Sequence, residues 1–324
     1  MESKNAHTGA LVADALSMPV HWYYDTNALR RDYGRVTNFV APKNPHAGSI
    51  LWRSKYEPIN AEADILHDQA QYWGKTGVHY HQHLRAGENT LNFQLAKRLA
   101  VIIEENRGYD RALWVSQYVR FMRTPGSHRD TYIEEYHRAF FNNRAKGLKV
   151  DRCGIEDIHI GGLAHVPTLF AFAGTADLAE LRKIVREHVS LTHQSAGVLA
   201  AADCLVRMLV AISSGVAVRD AVLSESNSLV SGRQFESWLR DPDEVVVGRR
   251  LSPACYIDDA FPAALYLAWK YADDFSGGII ANANVGGDNC HRGAVVGSIL
   301  GLANGIPVEF ALPEIEVAAG AISR

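Results

Sequence analysis

The segment VGGDNCHRGAVVGSILGLANG, residues 285–305, carries the strongest structural signal in the chain. Two glycines precede the polar run Asp288–Arg292, and glycines then recur at every fourth position from Gly293 to Gly305. Glycines at this spacing lie on one face of a helix and let a second helix approach closely. The pattern therefore predicts a tightly packed core helix with a polar first turn. Because a helix start attracts anions, that turn is either a functional site or an ordinary Gly-Asp helix cap.

Composition and charge exclude several classes of protein. The 324 residues are 47% hydrophobic and carry a formal net charge of −3, so we expect neither nucleic acid nor a membrane surface as a partner. We expect no membrane span, because the apolar runs stay short of roughly 20 residues. Asp14 interrupts the N-terminal apolar segment, which argues against a signal peptide. Four scattered cysteines predict a reduced, cytoplasmic protein without a disulfide framework.

Helical patterns recur throughout the sequence. Residues 91–106 place leucines four apart on one face of an amphipathic helix, and a small-residue helix is predicted at 8–20. A further helix is predicted at 130–142, whereas strand signals are sparse. We therefore predict an all-α fold, with a single compact multi-helix domain spanning residues 1–324 and no internal repeat.

A second polar corner, Gly87–Thr90, carries an acid, an amide and a hydroxyl directly before the amphipathic helix. Two glycine-led polar helix starts favour one composite site, so we predict that this corner and Gly286–Arg292 face each other across a shared cavity. Upstream, residues 79–83 alternate histidine with other residues. In a strand these imidazoles would share one side and form a metal-binding face, but we favour pocket-lining histidines.

The chain resembles the ADP-ribosylglycohydrolase family in an ordered set of segments: GALVADALSMPV (9–20), GGLAHVPTLFAFAG (161–174), LTHQSAGVLAAA (191–202), and the region from YIDDAFPAALYLAWK (256–270) to GGDNCHRGAVVGSILGLANG (286–305). The resemblance covers nearly the whole chain. It implies an all-α domain with a central ligand cleft and the hydrolysis of ADP-ribosyl compounds. In active members, a Thr-Asp-Asp-Thr motif and a C-terminal Asp-x-Asp-Thr motif together hold two magnesium ions.

Both metal motifs are altered in this sequence. Thr-Asp-Asp-Thr becomes Gly87-Glu88-Asn89-Thr90, and Asp-x-Asp-Thr becomes Asp288-Asn289-Cys290-His291. Magnesium requires hard oxygen ligands in octahedral geometry, so we expect no two-magnesium centre and no cofactor. The alternative is a single softer divalent ion held by Glu88, Asp288, Cys290 and His291, since four mixed ligands suit zinc.

Hydrolysis of an N-glycosidic bond requires a carboxylate beside the positive charge that develops on the sugar, and an acid or base for the leaving group or water. We expect Glu88 and Asp288 to divide these roles, with Cys290 and His291 beside them. In a second version Cys290 is the nucleophile, its thiol pKa lowered by the helix start and by His291. In a third version Cys290 is an inert, packed thiol.

The predicted function is hydrolysis of an N-glycosidic or related C–N bond in a small, polar, ribosyl-like or ADP-ribose-like substrate. One alternative is a non-catalytic ligand-binding or structural protein, because the family includes lens crystallins. The other is a metal-dependent ADP-ribosyl-protein hydrolase. The residues expected to bind the substrate are Asn89, Asn289, His81, His83, His165, Arg292, Asp14 and Trp22.

Overall fold

The computed structural model describes residues 2–227 and 231–313, and within these ranges the chain forms helices and turns but no β-strand. Extended pairing there is limited to isolated bridges, such as that between His159 and Tyr256. The predicted all-α class is confirmed. The helices are α1 (Ser3–Ser17), α2 (Thr26–Tyr33), α3 (Leu91–Asn106), α4 (Arg111–Arg123), α5 (Glu135–Ala145), α6 (Val166–Phe172), α7 (Leu178–Val189), α8 (Ala196–Ser213), α9 (Val218–Ser226), α10 (Gly232–Trp238), α11 (Asp243–Val245), α12 (Ile257–Lys270), α13 (Phe275–Asn284) and α14 (Asn289–Asn304).

Helices α1 and α14 run antiparallel and touch through glycines. A Cβ atom on Gly9 would lie 2.0 Å from the Gly297 carbonyl oxygen, and one on Gly297 would lie 2.2 Å from the Gly9 oxygen. Only residues without a side chain permit such an approach of two backbones. The close contact predicted from the glycine spacing is confirmed. It sets the polar start of α14 beside the C-terminal end of α1.

Helix α14 is the central helix of the fold, since every residue from Asn289 to Leu302 is buried. Helices α1, α8, α12 and α13 pack around it. Contrary to the expectation from the sequence, one helix in the described ranges, α8, is long and apolar enough to span a membrane, but half of it is buried inside the protein. Its packing against α7, α9 and α14 is that of a core helix.

The strand considered for residues 79–83 is wrong, since this segment forms turns. Its imidazoles take separate buried partners instead of sharing one face. His79 Nε2 bonds to the Pro19 carbonyl oxygen at 3.0 Å, and His81 Nε2 lies 2.7 Å from His21 Nδ1. These contacts pull the segment against the end of α1, which an extended strand would not allow.

Two predicted helix boundaries are shifted. Helix α1 begins and ends earlier than the predicted 8–20. The helix predicted at 130–142 begins only at Glu135. Asp130 does not cap that helix, because its carboxylate accepts the backbone N–H of Leu91 at the start of α3. The segment before α5 is therefore held against α3 and brings its acidic residues toward the centre of the protein.

Candidate functional site

Asp288 lies among buried imidazoles. It occupies the capping position before α14, but its side chain bonds to histidines and not to the helix backbone. Its Oδ1 accepts hydrogen bonds from His21 Nε2 at 2.9 Å and from His291 Nδ1 at 2.7 Å. His159 Nε2 lies 3.4 Å from Oδ2. We call these four residues the Asp288 centre. Because Asp288 and His21 are completely buried, their charges are poorly screened by water.

The charges in the Asp288 centre stabilise one another. Burial alone would raise the pKa of Asp288, but His291, His159 and the hydrogen bond from His21 hold that pKa well below its usual range. Burial would also lower the pKa of His291, but Asp288, with Glu134, raises it to about 9. Burial lowers the pKa of His21 and of His159 to about 3. At neutral pH the centre thus holds a carboxylate, an imidazolium and two neutral imidazoles.

A row of hydrogen bonds connects the centre to a second buried carboxyl group. His21 Nδ1 lies 2.7 Å from His81 Nε2, and His81 Nδ1 lies 2.6 Å from Asp130 Oδ1. With the bond from His21 to Asp288, the row has three hydrogen bonds, but two neutral imidazoles supply only two protons. Burial raises the pKa of Asp130 to about 7, so its carboxylic acid supplies the third proton below that pH. All three donors then point toward Asp288.

Glu134 is a third buried carboxyl group, and it contacts the other nitrogen of His291. Its Oε1 lies 3.5 Å from His291 Nε2, while its Oε2 has no hydrogen-bond partner within residues 2–227 and 231–313. Burial raises the pKa of Glu134 to about 7, which the charge on His291 only partly offsets. One imidazole thus separates an ionised Asp288 from a carboxyl group that titrates near neutral pH.

Two exposed tyrosines belong to segments next to the Asp288 centre: Tyr24, 53% exposed, follows the His21 segment, and Tyr256, 54% exposed, pairs with His159 in an isolated bridge. Burial, and then the Asp288 carboxylate, raises the pKa of the Tyr24 hydroxyl. The half-buried Cys255 has its Sγ within 4.8 Å of donor atoms of His159 and Asp288, and its thiol pKa is raised by burial and then by Asp288.

A polar cavity of about 310 Å³ lies beside Tyr24. Tyr24 and Pro253 form part of its wall, and the Pro253 carbonyl oxygen accepts the Asp288 backbone N–H at 2.9 Å. Arg30 and Arg249 also line the cavity. A cavity of this size and character accommodates a small polar ligand next to the Asp288 centre.

Asp14 is completely buried and accepts hydrogen bonds from the residues directly before α3. Its Oδ2 accepts hydrogen bonds from Asn89 Nδ2 at 2.8 Å and Thr90 N at 2.9 Å, and its Oδ1 accepts the Thr90 hydroxyl at 2.7 Å. Burial raises the pKa of Asp14 even though these bonds oppose the shift. We call this group the Asp14 clasp. Asp14 and Asn89, which were predicted to bind substrate, join α1 to the start of α3 through these bonds.

Glu88 bonds to Arg129 and not to Asp288. The Arg129 guanidinium donates to both Glu88 oxygens, at 2.5 and 2.7 Å. The two polar helix starts nevertheless lie together, because the Asn92 side-chain amide, in the first turn of α3, is 2.8 Å from His291 Nε2. The predicted pairing of Glu88 with Asp288 is therefore wrong. The acid that approaches His291 comes from the loop before α5 instead.

The thiol of Cys290 is packed and not activated. It lies against Met18 and Leu84, and its Sγ is 3.7 Å from the Asp14 carbonyl oxygen. Burial, followed by the charges of Asp14 and Asp288, raises the pKa of Cys290 well above its ordinary value. The expectation of a lowered thiol pKa is wrong, because desolvation outweighs the effect of the helix start.

The remaining predicted substrate-binding residues mostly hold the backbone. Asn289 donates to two carbonyl groups, at 2.9 and 3.2 Å, and the completely buried Arg292 donates to the glycine turn before α14 at 2.7 Å. His165 Nε2 lies 3.0 Å from a backbone carbonyl of α3, and His83 packs beside a tyrosine ring 5.2 Å away. Trp22 stacks on an imidazole of the Asp288 centre at 4.1 Å between ring centroids.

Five residues of the site belong to no motif that the sequence displays. They are His21, Asn92, Asp130, Glu134 and His159. Four of the five lie outside α-helices, in segments where functional residues are common but periodicity is absent. The signals available were the 14 histidines of the chain and the two acids four positions apart before α5.

The donor set does not fit two magnesium ions. The Glu88 carboxylate is bound by an arginine, the Asn89 amide nitrogen donates into the Asp14 clasp, and Cys290 offers a buried thiol. Magnesium requires hard oxygen donors in near-ideal octahedral geometry. Two of these observations also count against the mixed ligand set, because Glu88 is bound by Arg129 and Cys290 is packed against Met18 and Leu84.

Candidate metal ligands converge elsewhere in the part of the chain that the structure covers. Each of two groups places its donor atoms within 4.8 Å of one another, and both include Asp288. The groups are His21 with Asp288 and His291, and His159 with Cys255 and Asp288.

Comparison with known proteins was made by sequence and by fold. A search of curated proteins gives no match. A solved structure described as an ADP-ribosylglycohydrolase-related protein complex has a similar fold, with a TM-score of 0.56 and 18% sequence identity over 95% of this chain and 92% of that chain. The sequence profile of the ADP-ribosylglycohydrolase family matches residues 4–316. Since this match spans nearly the entire sequence, the chain belongs to the ADP-ribosylglycohydrolase family.

Proposed function

We propose that the chain is a hydrolase that cleaves an N-glycosidic or related C–N bond in a small, polar, ribosyl-like substrate, at the Asp288 centre and without two magnesium ions. Membership of a hydrolase family supports the general class. One observation carries the finer proposal: a single imidazole, His291, separates the buried carboxyl groups of Asp288 and Glu134. Their surroundings shift the two pKa values in opposite directions, as acid–base chemistry requires.

Each of these groups has a role in the proposed reaction. Cleavage builds positive charge on the sugar and leaves a nitrogen that needs a proton. Glu134, protonated near neutral pH, donates that proton as the C–N bond breaks. The oxygen of water bonds to the sugar carbon, and the proton released by the water returns to Glu134. Asp288 stays ionised and offers its unpaired Oδ2 to that water or to a sugar hydroxyl.

The substrate class follows from the polar cavity beside the Asp288 centre. A sugar that enters between Tyr24 and Tyr256 would meet the Asp288 centre, and the polar cavity would receive the rest of the molecule. Two arginines, Arg30 and Arg249, favour a group that bears phosphate or carboxylate. Arg30 already forms an ion pair with Glu244, so a phosphate or carboxylate of the ligand would take the place of the Glu244 carboxylate at Arg30.

A turnover assay tests the proposal. Wild-type protein would be incubated with a panel of N-ribosyl compounds, including a dinucleotide, ADP-ribosyl arginine and free nucleosides. Glu134→Gln is expected to lower kcat/KM by about 10²–10⁴-fold, because the proton donor is lost. Glu135→Gln is the matched control, since its side chain is exposed on the next residue, and it should keep full activity. Equal activity of the two variants would refute the role given to Glu134.

The rival function is ligand binding without catalysis. The nearly complete burial of Asp288, His21 and His291 favours it, because a structural polar cluster has the same property. In that case wild-type protein would gain thermal stability with an N-ribosyl compound but leave the compound intact. Turnover by wild type, lost in Glu134→Gln, would exclude this alternative.

A further inference from the structure

We propose that the Asp288 centre binds one divalent transition-metal ion, through His21 Nε2, His291 Nδ1 and the Asp288 carboxylate. This single ion replaces the two magnesium ions of the family. The inference deepens the proposed function, because a bound ion would hold the attacking water. Metal binding is measured without any substrate, so the failure of one proposal is distinguishable from the failure of the other.

The donor atoms already have the spacing of metal ligands. Asp288 Oδ1 lies 2.7 Å from His291 Nδ1 and 2.9 Å from His21 Nε2. With metal–ligand bonds of about 2.1 Å, neighbouring corners of an octahedron are about 3 Å apart. An ion therefore needs only a small outward movement of the side chains. Two imidazoles with one carboxylate suit zinc, iron or cobalt better than magnesium or calcium.

The outer nitrogen of His21 has a hydrogen-bond partner of the kind that usually supports a metal-binding imidazole. Metal-binding imidazoles usually donate their second N–H to a buried acceptor, which fixes the tautomer and the ring. His21 Nδ1 lies 2.7 Å from His81 Nε2, and His81 in turn bonds to Asp130 at 2.6 Å. If an ion replaced the proton between His21 and Asp288, two hydrogen bonds would remain in the row, from His21 to His81 and from His81 to Asp130. The two neutral imidazoles supply the two protons that these bonds need.

The outer nitrogen of His291 has one acceptor near it. Its Nε2 lies 3.5 Å from Glu134 Oε1, while the Asn92 side-chain nitrogen, a donor, lies 2.8 Å from the same atom. His291 is 1% exposed, so its ring is held in place by packing as well. Both ligand imidazoles therefore point their inner nitrogens at the same carboxylate oxygen.

A second observation points to a ligand at this position. Asp288 is completely buried, yet its Oδ2 has no hydrogen-bond partner in the described parts of the chain. An unpaired buried carboxylate oxygen carries a desolvation cost that an ion, or water bound to an ion, would relieve. His159 Nε2 lies 3.4 Å from this oxygen without forming a hydrogen bond to it.

The other convergent group, His159 with Cys255 and Asp288, is less suitable. The backbone N–H of Gly161 donates to His159 Nδ1 at 2.8 Å. A neutral imidazole that accepts there carries its proton on Nε2, the atom that faces Asp288 and would have to bind the ion. His21 has no such conflict, whereas at His291 the Asn92 amide, whose nitrogen now lies beside Nε2, would have to turn its oxygen toward that nitrogen.

The test is a metal titration of the full-length protein after treatment with a chelator. Cobalt and zinc are the probes, followed by elemental analysis and by the visible spectrum of the cobalt form. We expect one ion per chain and a spectrum of nitrogen and oxygen ligands. Asp288→Asn and His21→Gln should lose the tight site, and His81→Gln should weaken it about 10–100-fold. His7→Gln, a buried imidazole that bonds to Thr168, is the matched control and should bind normally.

Three outcomes would overturn the proposal. Folded wild-type protein that takes up no stoichiometric cobalt or zinc would do so, as would two magnesium ions per chain. A sulfur-to-cobalt absorption band that disappears in Cys255→Ser would assign the ion to the other group. If His21→Gln fails to fold, as judged by circular dichroism without metal, His81→Gln supplies the measurement, and unchanged affinity there would count against the proposed ligands.

Discussion

Asp14 and Asp288 are both completely buried beside a helix start, yet they accept hydrogen bonds from different kinds of donor. Asp14 accepts from the amide of Asn89 and from the hydroxyl and backbone N–H of Thr90. Asp288 accepts from two imidazoles. Amide and hydroxyl donors keep their protons across the physiological pH range, whereas imidazoles exchange theirs.

The two regions differ in charge for the same reason. Burial raises the pKa of Asp14, while imidazoles hold that of Asp288 well below its usual range. Both oxygens of Asp14 are bonded, but Oδ2 of Asp288 is unpaired among the residues that the structure describes. The Asp14 clasp therefore has the features of a structural link, and the Asp288 centre those of a reactive site. The role of a buried carboxylate is therefore indicated by the groups that donate hydrogen bonds to it, because both aspartates are equally buried.

The strongest test of this difference is Asp288→Asn. If the proposed function is correct, the variant should lose on the order of 10³-fold in kcat/KM, because the negative charge of the centre disappears. Its far-ultraviolet circular dichroism should remain that of wild type, since the helical contacts of α14 are untouched. Activity within tenfold of wild type would show that the charge of Asp288 is not needed for turnover.

The matched change in the other region, Asp14→Asn, should act on stability. The new amide would turn donors toward the donors of Asn89 and Thr90, which would leave buried groups unpaired at a cost of about 2–4 kcal/mol. Urea unfolding at pH 7 measures this loss. Asp273→Asn is the control, because that side chain is 83% exposed and should change the unfolding free energy by less than about 0.5 kcal/mol. A similarly small effect at Asp14 would contradict the clasp.

The helix packing could be predicted because its signal is local. Glycines four apart in α14 predict a closely packed neighbouring helix, and Gly9 of α1 contacts Gly297 as that spacing implies. The partners of Asp288 could not be predicted in the same way. His21 is 267 positions away and reaches Asp288 only because α1 and α14 run antiparallel, a fact that no periodic pattern encodes.

The contacts of Glu88 could not be predicted for a related reason. Glu88 was the better candidate from sequence because it directly precedes a helix next to a glycine. Its carboxylate is taken by Arg129, a loop residue whose position depends on the tertiary fold. Glu134 comes from the same loop region, without a glycine or a motif to mark it, and its burial against His291 becomes visible only in three dimensions.

The pH dependence of stability should distinguish the two regions next. The pKa of His291 is raised from 6.5 to about 9 in the folded protein, so its stabilising effect is complete below pH 6.5 and is lost as pH rises through 9. By linkage, metal-free wild-type protein should lose about 2 kcal/mol of unfolding free energy between pH 7 and 9. Glu134 and Asp130 titrate near pH 7 and contribute little above it.

Asp288→Asn removes the charge that raises the pKa of His291, so the variant should show a nearly flat profile over the same two pH units. Denaturant titrations at several pH values measure both curves. A wild-type slope that persists in Asp288→Asn would assign it to other groups and would remove the proposed charge pair from the centre.

The smallest effect is expected for Cys290→Ala. This substitution tests whether the thiol packs beside the Asp14 clasp or takes part in catalysis at the Asp288 centre. Cys290 lies between the aspartates, with its Sγ toward the Asp14 carbonyl oxygen and against Met18 and Leu84. A packing role predicts activity within about twofold of wild type and a loss of about 1 kcal/mol or less, since one sulfur atom leaves a well-packed site. A nucleophile would instead lose activity by orders of magnitude at unchanged stability. Because burial raises the pKa of the thiol, we expect the first result, which would place Cys290 with the Asp14 clasp despite its position two residues after Asp288.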